Sequence, residues 1–108
     1  MLALVGVFLT AALVQAGAMN IRTFDPTGVL SAEKVTIVAF DSAGTNKGTW
    51  TTTASAVTIN VTSALADKSI KLTFQRASSG TVNLTLEGIY MDFMPPTPAK
   101  AMDVVVPK

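Results

Sequence analysis

The first 19 residues, Met1 to Met19, carry no charged side chain, and Thr10 and Gln15 supply their only polar ones. A helix that is apolar all round is a buried helix, because it has no face to turn to water. Burying ten or so of its larger side chains is worth on the order of 20 kcal/mol, at about 1.5–3 kcal/mol each. A small domain cannot cover such a helix alone, so lipid or neighbouring subunits must. Three readings compete for the segment. A secretory signal fits the small-residue run Leu13-Val14-Gln15-Ala16, but a signal needs a basic n-region and the first basic side chain is Arg22. A membrane span fits the length, since 19 residues at about 1.5 Å each reach roughly 28 Å against a bilayer core of about 30 Å. Arg22 and Lys34 follow the segment, however, and the positive-inside rule then leaves the rest of the chain in the cytoplasm.

The third reading makes the segment an assembly helix. A basic leader would be removed ahead of Met1. The helix would sit transiently in the membrane and then pack against copies of itself. Gly6 and Thr10 are four residues apart, as are Ala12 and Ala16, a spacing that lets helix backbones approach closely. The helix is predicted to run over 1–24, stopped by Asp25-Pro26, since the residue before a proline is pushed out of helical geometry.

Beyond Lys34 the period becomes two. Val35 to Phe40 reads as a strand buried on both faces, and Asp41 to Gly48 as a polar, glycine-containing turn. Thr49 to Thr53 is a short strand around Trp50. Val57, Ile59 and Val61 alternate with Thr58, Asn60 and Thr62. Ile70, Leu72 and Phe74 alternate with Lys71, Thr73 and Gln75. Val82, Leu84 and Leu86 alternate with Asn83, Thr85 and Glu87, and Gly88 marks a bulge or bend before another apolar run, Ile89 to Phe93. Six or so short strands between turns predict an antiparallel sandwich or barrel. The predicted fold class is therefore α+β: one N-terminal apolar helix (1–24), a Thr-rich β-domain (25–94), and a Pro-rich spacer with a C-terminal strand (95–108). Pro95-Pro96-Thr97-Pro98 favours extended geometry. The strand around Met102 to Val106 would close its own sheet or add to a neighbour's open edge.

The side-chain inventory bounds the chemistry. There is no His and no Cys, which removes the usual general base, thiolate catalysis and zinc–thiolate sites. The seven carboxylates are scattered, and no phosphate-cradling glycine loop is present. Asp41 and Asn46 share a turn but lack the dense oxygen ligands of a calcium loop. No catalytic residue, metal site or cofactor is expected, and the chain is not expected to be an enzyme. A net charge of +1 gives no basic patch for nucleic acid. Charged residues make up only 14% of the chain, against about 25% in ordinary soluble domains, and fifteen threonines supply polarity in their place. Two sequons, Asn60-Val61-Thr62 and Asn83-Leu84-Thr85, put candidate N-glycosylation sites at Asn60 and Asn83, both on polar faces of predicted strands.

An apolar N-terminal helix, an Asp-Pro break and a Thr-rich β-domain with sequons together resemble archaeal type IV pilins and archaellins. The resemblance is architectural and covers the whole chain; Val5 stands where bacterial type IV pilins carry Glu. It implies a structural subunit of an extracellular, cell-surface filament, with identical subunits as partners, helices in the fibre core and β-domains outside. The competing expectations are a single-span membrane-anchored β protein, such as a virion or membrane-complex component, and a secreted β-sandwich binding module.

Overall fold

The computed structural model describes residues 17–62, 65–91 and 100–108. They form seven strands: β1 (Ala18–Phe24), β2 (Val35–Phe40), β3 (Asn46–Thr51), β4 (Ala56–Asn60), β5 (Ile70–Arg76), β6 (Leu84–Ile89) and β7 (Lys100–Val105). Two sheets result. Sheet A has the order β4-β1-β7 and sheet B the order β3-β2-β5-β6. Sheet B is antiparallel throughout, whereas in sheet A β1 runs antiparallel to β4 and parallel to β7.

The fold is all-β, and the expected α+β class is wrong: among the described residues there is no helix. The predicted helix 1–24 fails over its last turns, where Ala18–Phe24 is a strand. The reason lies in the residues. Met19, Ile21 and Thr23 are buried while Asn20 and Arg22 are exposed, a period of two. Ile, Thr and Phe also favour the pleated surface over a helix. The assembly positions Gly6, Thr10, Ala12 and Ala16 lie outside the described residues, as does the Pro-rich spacer 95–98. Among the described residues no helix is long and apolar enough to cross a membrane.

The core lies between the sheets. Met19 and Ile21 of β1, Ile59 of β4 and Val104 of β7 face Val35, Ile37 and Ala39 of β2 and Ile70, Leu72 and Phe74 of β5. Trp50, Leu84 and Leu86 pack around it half-buried. The outer face of sheet B carries rows of threonine. Thr49 and Thr73 flank Val38, Thr85 pairs with Thr73, and Thr36 pairs with Thr51. Directly opposed residues share a sheet face, so the threonines give that face hydroxyls without charge.

Two predicted runs, 82–87 and 89–93, are continuous through β6 up to Ile89. Gly88, at φ +74°, is the extra residue of a bulge, and the register against β5 shifts there between Ile70 and Leu72. Val82 lies before the strand and is exposed. The corner from β3 to β4 turns on Ala54 and Ser55, both at positive φ (53° and 67°), between Thr53 and Ala56, which bond each other at 2.8 and 3.1 Å. Positive φ at both central residues is the geometry of a two-residue hairpin turn, here reached without Gly or Asn.

One polar node closes the end of the sandwich where β1, β5 and β7 finish. Arg76 is 2% exposed, and its Nη2 lies 2.7 Å from Asp25 Oδ1, a close ion pair without a well-aligned hydrogen bond. Its Nη1 donates to Glu33 Oε2 at 3.2 Å, its Nε to the Pro107 carbonyl at 3.1 Å, and its Nη2 to the Val106 carbonyl. The Ser78 backbone N–H donates to Glu33 Oε1 at 2.8 Å; hydrogen bonding from the Ser78 side chain and then its backbone, with the adjacent guanidinium, holds the Glu33 carboxyl below its usual range. A buried guanidinium must have its donors satisfied, and here they gather the β1–β2 loop, β5 and the C-terminal carbonyls. Arg76→Met leaves Asp25 buried without its cation and is expected to cost about 3–5 kcal/mol in urea unfolding. Adding Asp25→Leu is expected to recover much of that loss. A cost under about 1 kcal/mol for the single variant would contradict this role.

Candidate functional site

The described surface with the most concentrated chemistry is the outer face of sheet A. Register fixes what shares it. Arg22 on β1 sits opposite Asp103 on β7, Asn20 opposite Ala101 on β7 and Thr58 on β4, and Phe24 opposite Val105. Arg22 Nε and Nη2 donate to Asp103 Oδ1 and Oδ2 at 2.9 and 2.8 Å, a bidentate pair. Hydrogen bonding from Arg22 holds the Asp103 carboxyl below its usual range, and Asp103 in turn raises the guanidinium. Both side chains are about half exposed, so the pair sets local charge and register more than stability. The Arg22 guanidinium also lies 5.3 Å from the centre of the Phe24 ring, within reach of a cation–π contact. Thr58 Oγ1 donates to Asn20 Oδ1 at 2.7 Å across the β1–β4 pair.

These side chains surround a shallow hollow of about 320 Å³ lined by Asn20, Arg22, Ala101 and Asp103. It offers amide, guanidinium and carboxylate groups beside an aromatic ring. That set suits hydrogen bonding to a polar ligand; it contains no nucleophile paired with a base.

The face continues as an apolar row. Leu30 bridges antiparallel to Phe24 on the side away from β7, so Leu30, Phe24 and Val105 lie side by side. Val105 is 54% exposed and Leu30 48%, and neighbouring Val29 is 59% exposed. Nothing local in the sequence marks this row: Phe24 falls at the end of the predicted helix, and Val29 and Leu30 belong to no periodic pattern. The Arg22–Asp103 pair is equally unmarked, since only a parallel β1–β7 pairing brings residues 81 positions apart into contact.

The sequon asparagines occupy different settings. Asn60 ends β4, an edge strand of sheet A, and is exposed, with Val61 buried behind it and Thr62 exposed. Asn83 lies just ahead of β6 and is half-buried. Its Oδ1 accepts from the Arg76 backbone N–H at 2.9 Å, and its own N–H donates to the Phe74 carbonyl at 2.8 Å. Asn83 thus serves as a turn residue that closes β5 against β6.

The turn containing Asp41 and Asn46 is internally satisfied. Asp41 Oδ1 accepts from the backbone N–H groups of Ala43 and Thr45, both at 2.9 Å, and Asn46 Oδ1 from Gly48 at 2.9 Å. Those backbone bonds, Thr45 first, keep the Asp41 carboxyl below its usual range. Among the described residues no group of three or more His, Cys, Asp or Glu is placed to hold a metal ion.

No family model matches the chain, and neither the curated proteins nor the solved structures yield a match.

In a host that glycosylates asparagine, intact-mass and peptide analysis is expected to find glycan on Asn60 and little or none on Asn83. Asn60→Gln should remove the added mass and leave thermal stability unchanged. Asn83→Gln should lower stability by about 1–2 kcal/mol through the lost Arg76 bond. Glycan on Asn83 with Asn60 bare would contradict this assignment.

Proposed function

We propose that the chain is a structural subunit of an extracellular filament, a homopolymer in which identical subunits bury the apolar N-terminal stretch and the sandwich faces outward. The observation that carries the reading is the position of β1. It begins at Ala18, where the apolar stretch ends, and lies in the middle of sheet A, paired on both sides. The stretch is thus joined to the most firmly held strand of sheet A, and a pull on it is shared by the β4 and β7 ladders together. A subunit tethered through its N-terminus needs such an attachment, because an edge strand would peel.

The outer surfaces agree with this reading. Rows of threonine on sheet B and the exposed Asn60 sequon on sheet A give a polar exterior of low charge. In this reading the chain associates transiently with the membrane before assembly. It uses no cofactor and binds no nucleic acid.

A second reading is favoured by the hollow beside Arg22 and Asp103. It is a membrane-anchored or secreted sandwich that binds a polar ligand on sheet A. One experiment separates the two. The full-length chain, purified and freed of detergent, is expected to form filaments of uniform width in negative-stain electron microscopy. Monomers, or particles that persist only with lipid or detergent, would exclude the filament.

A further inference from the structure

We infer that the apolar row Leu30–Phe24–Val105 is the seat for the apolar N-terminal stretch of a second copy, so that subunits join head to tail. The inference rests on the filament reading and names the surface that reading requires.

Three observations point to it. First, strand direction separates the two apolar features. The stretch Met1 to Ala16 joins sheet A at the Ala18 end of β1, and the apolar row lies at the Phe24 end. Because β7 runs parallel to β1, its last residues arrive at that same far end and place Val105 beside Phe24. A strand of seven residues at about 3.3 Å each puts roughly 20 Å between donor and seat.

Second, the seat and the stretch match in chemistry. Val29, Leu30 and Val105 are each about half exposed or more, and the row contains no charge. The stretch carries no charge either. Contact between them removes apolar surface from water on both sides.

Third, the face selects a second copy over the same chain. The direct path along this face from its own Ala18 back to the row crosses Asn20, Arg22 and Asp103, which fill the middle of the face. Laying an apolar segment over a bidentate ion pair removes water from both charges with no new partner. A second copy approaching from the far end meets exposed Val29, Leu30 and Val105 first, with Arg22 beside the Phe24 ring marking the inner border of the seat. Such a contact joins two different surfaces. Repeated from copy to copy, such a heterologous contact builds an open helical filament when the rotation between copies does not close a ring, the outcome the filament reading requires.

The test has two arms on the full-length chain. In the first, a photo-crosslinking amino acid replaces Leu30 in a mixture of isotopically light and heavy protein. Cross-links from position 30 to peptides within residues 1–16 of differently labelled copies are expected. Cross-links confined to one chain, or none to that stretch, would overturn the seat. In the second arm, Leu30→Asp together with Val105→Asp is compared with Thr49→Asp on the outer face of sheet B. The paired variant should raise the concentration needed for assembly at least tenfold while keeping the circular dichroism of the fold, and Thr49→Asp should leave it unchanged. Assembly of the paired variant at the wild-type concentration would overturn the seat and leave the filament standing. If wild-type protein never assembles, both the filament and the seat fall.

Discussion

Arg76 holds one end of this sandwich together. Apolar burial brings two sheets face to face but is indifferent to direction, and it does not by itself stop the open end of a mixed sheet from fraying. A buried guanidinium is demanding in both respects. Its Nε, Nη1 and Nη2 donate to the Pro107 carbonyl, to Glu33 on the β1–β2 loop and to the Val106 carbonyl, and Asp25 of the same loop lies against it as a close ion pair. These are the segments that leave β1 and β7 at the end where the two parallel strands finish. The node therefore ties the parallel pair to sheet B and brings Val105 beside Phe24.

From that arrangement the polarity of the molecule follows. At the Ala18 end the Val61 N–H donates to the Gly17 carbonyl at 2.9 Å, anchoring the start of β1 to the end of β4. At the Phe24 end the Val106 N–H donates to the Phe24 carbonyl at 2.9 Å, and Leu30 completes the apolar row. Between them lies a polar middle, with Asn20, Arg22, Thr58 and Asp103 bonded in pairs across the strands. One sheet face thus grades from polar to apolar along β1, away from the point where the N-terminal stretch enters. The proposed head-to-tail assembly is a consequence of that gradient and of strand direction.

Much of the β-domain was legible in the sequence, because period-two alternation is a local signal. Ile59 between Thr58 and Asn60, and Ile70, Leu72 and Phe74 between Lys71, Thr73 and Gln75, face the sides that the pattern assigns. Ala18–Phe24 departs from the expected helix because the uncharged apolar run extends into its first residues and carries a helical pattern past Met19. The alternation of Met19, Ile21 and Thr23 against Asn20 and Arg22 was present but short. The candidate site was largely illegible. Arg22 meets Asp103, and Phe24 meets Val105, only through a parallel pairing of the first and last strands, and no local pattern encodes a partner at that distance. No local pattern marks Arg76, because its burial depends on two segments remote from it, the β1–β2 loop and the C-terminus.

The most direct test of this account is amide hydrogen exchange across Ala18–Phe24 in the full-length chain, read by nuclear magnetic resonance. A strand paired on both sides engages consecutive amides. The account predicts continuous protection from Met19 to Phe24, with cross-strand contacts from Ile21 to Val57 and to Met102. Rapid exchange through the segment, or contacts three and four residues apart along it in place of the cross-strand ones, would contradict it.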